Sequence, residues 1–136
     1  MKRKNDIKIG YLGLGKMGKN MVLRLLEHGV EVVVWNRSPE KVDEVVKSGA
    51  IGASSIKDLV GKLDSPRTIW LMLPQGEPTS LVLNELKRSL NKGDLVIDGG
   101  NAYYKDSVGR AKELADIGVD FMDIGVSGGP AGARKG

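Results

Sequence analysis

Short hydrophobic runs alternate with amphipathic segments along the chain, and this alternation predicts strands and helices in turn. The run TIWLML at residues 68–73 is almost unbroken, as in a buried parallel strand. Met17, Met21 and Leu25 instead recur at the spacing of one helix face. The predicted strands cover residues 7–12, 30–35, 50–53, 68–73, 95–98 and 119–124, and the predicted helices cover residues 17–28, 40–47, 55–63, 79–90 and 103–117.

Strands that alternate with helices predict one α/β domain with a doubly wound, mostly parallel sheet, the Rossmann dinucleotide-binding architecture. The 136 residues, 40% of them apolar, suffice for one such domain with its own core. Ligands bind to sheets of this kind beyond the carboxyl ends of the strands. The candidate ligand-binding loops are therefore residues 13–18, 36–38, 73–79, 98–104 and 125 onward.

The loop after the first strand carries a G-x-G-x-x-G pattern. A helix and a second strand follow it, a context that favours dinucleotide binding over a plain β-turn-α unit. Gly13 would permit the sharp turn, Gly15 the close approach of a pyrophosphate, and Gly18 the tight packing of helix on strand. The first amides of that helix have no partner within the helix and suit a diphosphate. The cofactor-binding residues predicted here are Gly13, Leu14, Gly15, Lys16, Met17 and Gly18.

The end of the second strand indicates which dinucleotide binds. An NAD site usually has Asp or Glu about 20 residues after the glycines, whereas this chain has Asn36, Arg37 and Ser38. Asn36 and Ser38 can donate hydrogen bonds to a 2′-phosphate, and the Arg37 guanidinium can pair with it while lying on the adenine face. These residues favour NADP over NAD, which stays possible. In the alternative interpretation Ser38 only caps the next helix, with Pro39 at its first position, and Arg37 is solvated.

Two glycine-rich loops follow later strands. In Asp98-Gly99-Gly100-Asn101 the glycines bare the backbone, and the Asn101 side chain offers a donor and an acceptor at the ligand-binding edge. The alternative is an ordinary turn. In Gly125-Val126-Ser127-Gly128-Gly129-Pro130 a hydroxyl and free amides suit a carboxylate, and the alternative is a flexible tail.

Composition and charge argue against several classes of function. The chain has no run of eighteen apolar residues and no signal-peptide-like stretch after its basic start, so a cytoplasmic protein without membrane contact is expected. A net charge of +4 and an aromatic content of 4% argue against nucleic-acid binding. The absence of cysteine excludes disulfides and thiolate metal sites, and no metal site is predicted. His28 is expected on the surface, far from the ligand-binding edge.

Four motifs together resemble the decarboxylating 6-phosphogluconate dehydrogenases, within the wider β-hydroxyacid dehydrogenase group: GLGKMG at 13–18, NRS at 36–38, DGGN at 98–101 and GVSGG at 125–129. The resemblance covers essentially the whole chain. It implies that the glycine turn holds the cofactor diphosphate and that residues 36–38 hold the 2′-phosphate. It also implies that Asn101 lies between nicotinamide and sugar acid, and that Ser127, Gly128 and Gly129 receive the substrate carboxylate. Leu73 and Pro74 are also expected to contact the cofactor.

The resemblance implies NADP-linked oxidation of 6-phospho-D-gluconate to ribulose 5-phosphate and carbon dioxide, in the pentose phosphate pathway. The family's acid–base lysine and glutamate are expected beyond Gly136, on a helical domain, since neither Lys105 nor Lys135 lies in the family's lysine motif. The 136 residues are therefore expected to bind cofactor without turnover, and the full-length protein to form homo-oligomers. The alternatives are a dehydrogenase of the 3-hydroxyisobutyrate or tartronate semialdehyde type and a stand-alone NADP(H)-binding module.

Overall fold

The computed structural model describes residues 7–73, 77–99 and 104–124. In this part of the chain six strands alternate with five helices. The strands are β1 (Lys8–Leu12), β2 (Glu31–Trp35), β3 (Ile51–Gly52), β4 (Thr68–Leu71), β5 (Leu95–Asp98) and β6 (Asp120–Asp123). The helices are α1 (Lys16–Glu27), α2 (Pro39–Val46), α3 (Ile56–Gly61), α4 (Glu77–Ser89) and α5 (Tyr104–Ala115).

The six strands form one parallel sheet in the order β3-β2-β1-β4-β5-β6. This arrangement confirms the predicted α/β class and the parallel sheet. The chain switches direction across the sheet between β1 and β4, and a crevice for ligands opens at such a switch point. Because the strands are parallel, the loops after β1, β2 and β4 lie along the same edge of the sheet.

The helices divide between the two faces of the sheet. On one face α1 and α2 cover a core that contains Tyr11, Val22, Val32, Val34, Val42 and Val45. On the other face α3, α4 and α5 cover a second core that contains Leu59, Ile69, Leu71, Leu83, Leu86, Val96 and Leu114. Tyr11 stacks on Trp70 of β4 with the ring centroids 6.4 Å apart, and burial raises the pKa of its phenol.

Most element boundaries differ by one or two residues from those predicted by periodicity, and the changes at β4 and α4 adjoin a candidate ligand-binding loop. α4 begins at Glu77 rather than at residue 79, because Pro78 in the first turn of a helix needs no amide partner. β4 ends at Leu71 rather than at residue 73, although the Met72 amide still donates to the Leu12 carbonyl at 2.8 Å. The predicted strand therefore continues as a bonded but irregular segment toward the switch point.

A buried ionic network fixes the opposite edge of the sheet, where β4 and β5 begin. The fully buried Asp94 carboxylate accepts hydrogen bonds from the Arg67 amide at 2.7 Å and from the Asn91 amide at 2.8 Å. The Arg67 guanidinium pairs with the same carboxylate at 3.1 Å. Its Nε also donates to the Val60 carbonyl at 3.1 Å, so the network reaches the end of α3.

Candidate functional site

The loop after β1 turns at Gly13, where φ is 104°, a conformation that residues with side chains rarely adopt. A Cβ atom at this position would also collide with the carbonyl of Met72. The Gly13 amide donates to the Trp35 carbonyl at 3.1 Å, so the turn is attached to the end of β2. The fold therefore requires glycine at position 13, as the fingerprint predicts.

The other two glycines of the turn differ in their surroundings. A Cβ atom at Gly18 would collide with the Gly13 carbonyl and lie 3.5 Å from the Tyr11 ring, so this glycine lets α1 pack on β1. By contrast, nothing in the described part of the chain would lie within 4 Å of a Cβ atom at the exposed Gly15. The fold does not demand glycine at position 15, and the open space there is what a ligand against the backbone would use.

α1 begins at this turn with uncapped amides. Gly15 is the N-cap residue, no side chain caps the helix, and its first turn contains no acidic residue. The Lys19 amide donates to the Gly15 carbonyl at 2.8 Å, so the amides of Lys16, Met17 and Gly18 precede the helical ladder. Their partial positive charge makes the turn suitable for an anion such as a diphosphate.

Asn36, directly after β2, joins this turn to the next loop. Its Oδ1 accepts a hydrogen bond from the Leu14 amide at 2.9 Å, and its Nδ2 donates to the Ser38 carbonyl at 3.2 Å. The sequence predicts Asn36 as a donor to phosphate, whereas the structure commits its oxygen and one amide hydrogen to the backbone. One amide hydrogen is left for a ligand.

Ser38 occupies the N-cap position of α2, and Pro39 is the first helical residue, as predicted. The predicted capping bond from the Ser38 side chain is wrong, because its hydroxyl makes no capping hydrogen bond. The Lys41 amide, which such a cap would serve, donates instead to the Ser38 carbonyl at 3.2 Å. The hydroxyl is therefore not used by the helix.

Arg37 is exposed and lines a cleft of about 510 Å³ together with Trp35, whose carbonyl accepts from the Gly13 amide. Its guanidinium has no hydrogen bond or ion pair to the residues that the structure describes. Mainly apolar side chains line the cleft, which suits a flat ring system under a guanidinium. The lining residues are Trp35, Arg37, Ser54, Ser55, Ile56, Leu73, Leu81, Val82 and Glu85.

The serine side of the cleft is ordered by Asp58 of α3. The Asp58 amide donates to the Ser55 hydroxyl at 3.0 Å, so Ser55 caps α3, and the Ser54 amide donates to the Asp58 carboxylate at 2.9 Å. The Lys62 ammonium donates to the same carboxylate at 2.8 Å. The hydrogen bond from Lys62, and after it the bond from the Ser54 amide, hold the pKa of the Asp58 carboxyl below its usual range.

Several residues of the cleft were not predicted from the sequence. Leu81 of α4 is 59% exposed and lines the cleft with Val82 and Glu85. Their position in the sequence could have indicated the cleft, since they lie in the first turns of the helix that follows the candidate loop after β4. Leu73, predicted as a cofactor contact, does lie in the cleft.

At the end of β5, the buried Asp98 carboxylate pairs with the Arg110 guanidinium of α5 at 3.3 Å. The sequence presents Asp98 only as the last residue of a predicted strand and the first of a glycine-rich loop, so this buried pair was missed. A Cβ atom at the buried Gly99 would lie 2.7 Å from the Met72 sulfur and 2.9 Å from the Trp70 Nε1, so glycine is needed there for packing against these side chains. The predicted exposure of this backbone to a ligand stays a prediction. The remaining predicted site residues lie outside the described residues, and their roles stay predictions: Pro74, Asn101, Ser127, Gly128 and Gly129.

Other predicted features lie away from this edge. His28 is exposed at the C-cap of α1, at the opposite end of the helix from the turn, which confirms the predicted surface position. Over residues 7–73, 77–99 and 104–124, no group of His, Asp and Glu side chains is arranged to hold a metal ion. In the same ranges no helix combines the length and apolar character needed to cross a bilayer.

Residues 8–136 match the family model described as the NAD binding domain of 6-phosphogluconate dehydrogenase. The chain is 44% identical over 133 residues to a decarboxylating 6-phosphogluconate dehydrogenase of Chlamydia pneumoniae, covering 94% of this chain and 28% of that protein. It is also 44% identical over 132 residues to the NADP(+)-dependent, decarboxylating enzyme of Bacillus subtilis (strain 168), with the same coverage. A solved 6-phosphogluconate dehydrogenase of Plasmodium falciparum, reported apo, with its cofactor NADP+ and with its substrate 6-phosphogluconate, superimposes with a TM-score of 0.87 at 33% identity, over 93% of this chain and 28% of that one.

Proposed function

Because the chain belongs to the family of NAD binding domains of 6-phosphogluconate dehydrogenase, we propose that it binds NADP across the turn at residues 13–18. The observation that carries this proposal is the position of Arg37. This exposed cation directly follows Asn36, which bonds to the glycine turn, and it lines an apolar cleft; within the described residues no acid pairs with it. NADP has a diphosphate for the helix terminus, a 2′-phosphate for Arg37 and an adenine ring for the apolar cleft.

Each part of the cofactor has a corresponding surface in this proposal. The diphosphate lies on the first amides of α1, with Gly15 leaving room for it. The adenine enters the cleft against Leu73 and Leu81, with the Arg37 guanidinium over its face. Arg37 also pairs with the 2′-phosphate, assisted by the Ser38 hydroxyl and the remaining amide hydrogen of Asn36.

The proposed reaction is the NADP-linked oxidative decarboxylation of 6-phospho-D-gluconate to ribulose 5-phosphate and carbon dioxide. The names of the relatives and the DGGN and GVSGG motifs support it. The bound cofactor supplies the hydride acceptor. Asn101 is proposed to lie between nicotinamide and substrate, with Pro74 contacting the cofactor. Ser127, Gly128 and Gly129 would bind the substrate carboxylate.

The chain spans 28% of the length of these relatives. Cofactor binding and acid–base catalysis are therefore assigned to different parts of the complete protein. These 136 residues bind the cofactor, and the acid–base lysine and glutamate belong to a helical domain of the complete protein. The 136 residues are therefore expected to bind without turnover. Homo-oligomers of the complete protein and a cytoplasmic location are parts of the same proposal.

Calorimetric titration with NADPH and NADH tests the cofactor assignment. Arg37→Asp should weaken NADPH at least tenfold, about 1.4 kcal/mol, and NADH much less, because only NADPH carries the 2′-phosphate. Arg88→Asp, which makes the same charge change in the last turn of α4, should leave both affinities close to wild type. A wild-type preference for NADH of tenfold or more, or an equal loss of both cofactors in Arg37→Asp, would refute the assignment.

The substrate is tested separately on the complete natural protein. A panel of 6-phosphogluconate, 3-hydroxyisobutyrate and tartronate semialdehyde with NADP or NADPH should give turnover only with 6-phosphogluconate. Turnover with one of the other two would place the protein in another branch of the β-hydroxyacid dehydrogenases. Binding of NADP(H) without any turnover would favour a nucleotide-binding module.

A further inference from the structure

The side chain of Asn36 lies between the two loops to which the proposed function assigns phosphate groups. It accepts from the Leu14 amide of the glycine turn at 2.9 Å and donates to the Ser38 carbonyl of the next loop at 3.2 Å. We propose that Asn36 is a positioning residue that holds the diphosphate turn and the 2′-phosphate loop in one fixed arrangement. This inference rests on the proposed function for the identity of the ligand.

The glycine turn is attached to β2 by two consecutive amides of different kinds. The Gly13 amide donates to the backbone carbonyl of Trp35 at 3.1 Å, and this bond survives any substitution of side chains. The Leu14 amide depends on the Asn36 side chain. Leu14 is only 2% exposed, so an amide that lost this acceptor would be costly to leave unpaired. The turn would have to shift to satisfy it.

The carboxamide is suited to both contacts because it accepts through its oxygen and donates through its nitrogen. An aspartate at position 36 could still accept from Leu14, but it could not donate to Ser38 and would bring negative charge beside Arg37. An alanine could make neither bond. The two substitutions therefore separate support of the turn from binding of the 2′-phosphate.

Positioning and direct phosphate binding predict opposite patterns of cofactor affinity. If Asn36 only donated to the 2′-phosphate, its loss would weaken NADPH and spare NADH, as expected for Arg37. If it positions the diphosphate turn, its loss weakens both cofactors, because both carry the diphosphate. The exchange rate of the Leu14 amide reports the same contact without any ligand.

The test measures cofactor affinities by calorimetry and the Leu14 amide by NMR hydrogen exchange, with Ser38→Ala as a control in the same loop. Asn36→Ala should weaken NADH about fivefold to twentyfold and NADPH by at least that factor, since NADPH also loses the amide hydrogen assigned to its 2′-phosphate. The same variant should accelerate Leu14 exchange about tenfold. Asn36→Asp should keep Leu14 protected and NADH within about threefold of wild type, while NADPH weakens at least about tenfold. Ser38→Ala should leave Leu14 exchange unchanged.

A loss confined to NADPH in Asn36→Ala would make Asn36 a phosphate ligand and overturn the inference. Unchanged Leu14 exchange in that variant would overturn it as well. If Asn36→Ala does not fold, Asn36→Asp decides by the same two measurements, since fast Leu14 exchange there contradicts the role. If wild type binds neither cofactor, the proposed function fails, while Leu14 exchange still decides whether Asn36 holds the turn.

Discussion

Gly13 and Gly15 are two positions apart and should respond in opposite ways to alanine. At Gly13, a positive φ and the Met72 carbonyl both oppose a side chain, so Gly13→Ala should destabilise the fold by at least about 2 kcal/mol. At Gly15 the fold leaves open space, so Gly15→Ala should change the free energy of unfolding by less than about 1 kcal/mol. The same variant should weaken NADPH and NADH about tenfold or more, because the methyl group occupies the space assigned to the diphosphate.

Urea denaturation and calorimetry on the two variants check this prediction. Unchanged cofactor affinity in Gly15→Ala would mean that the diphosphate lies elsewhere. A stable Gly13→Ala variant would mean that the turn has a second conformation open to it.

For single residues, the sequence predicted a structural role correctly where that role depends on one local property, such as the absence of a side chain. The turn at Gly13 and the packing at Gly18 follow from the absence of a side chain, so the fingerprint predicted both. The bond from Leu14 to Asn36 joins residues 22 positions apart and exists because β1 and β2 pair side by side, so no local pattern indicates it. Ligand binding by these residues remains a prediction.

Among the elements, the stability of the sheet should depend strongly on Asp94, which joins the beginnings of β4 and β5 to the end of α3. Asp94→Ala leaves the Arg67 guanidinium, only 15% exposed, without its carboxylate and two backbone amides without an acceptor. Breaking a buried pair in this way typically costs about 3–5 kcal/mol. Urea denaturation at neutral pH should show a loss of that size.

Lys62→Ala provides the control for this element. It removes the pair between Lys62 and Asp58, whose N···O distance of 2.8 Å is shorter than that of the buried pair, but both side chains are partly exposed. Exposed pairs contribute little, so the loss should be far smaller than for Asp94→Ala. Equal losses in the two variants would show that burial does not govern these contacts.

The order and type of the elements were predictable, because each strand and helix carries its own hydrophobic period. The side-chain contacts between these elements were less predictable. Leu81 is exposed beside the buried face of α4, and only the tertiary packing places it in the cleft. The Asp98–Arg110 pair likewise requires the packing of α5 against β5, which no single element encodes.

At the scale of the whole molecule, the two faces of the sheet are covered unequally in the part of the chain that the structure describes. Val96 and Phe121 face α3, α4 and α5, and the paired residues Ile97 and Met122 therefore point to the opposite face. The described helices of that face, α1 and α2, pack around β1, β2 and β3. Met122 is accordingly 48% exposed on an edge strand. Only the topology of the sheet indicates which half of it carries this exposed apolar surface.

This face should make the 136-residue protein self-associate, because an apolar sheet surface beside an edge strand favours association with a second copy. Sedimentation velocity should show a weight-average sedimentation coefficient that rises with concentration, and Met122→Lys should suppress that rise. Val108→Lys is the matched control, since Val108 is 58% exposed on α5 and the variant adds the same charge on the other side of the sheet. A monomer at every concentration, or equal suppression by the two lysines, would show that net charge or another surface, and not the face of Met122, governs association.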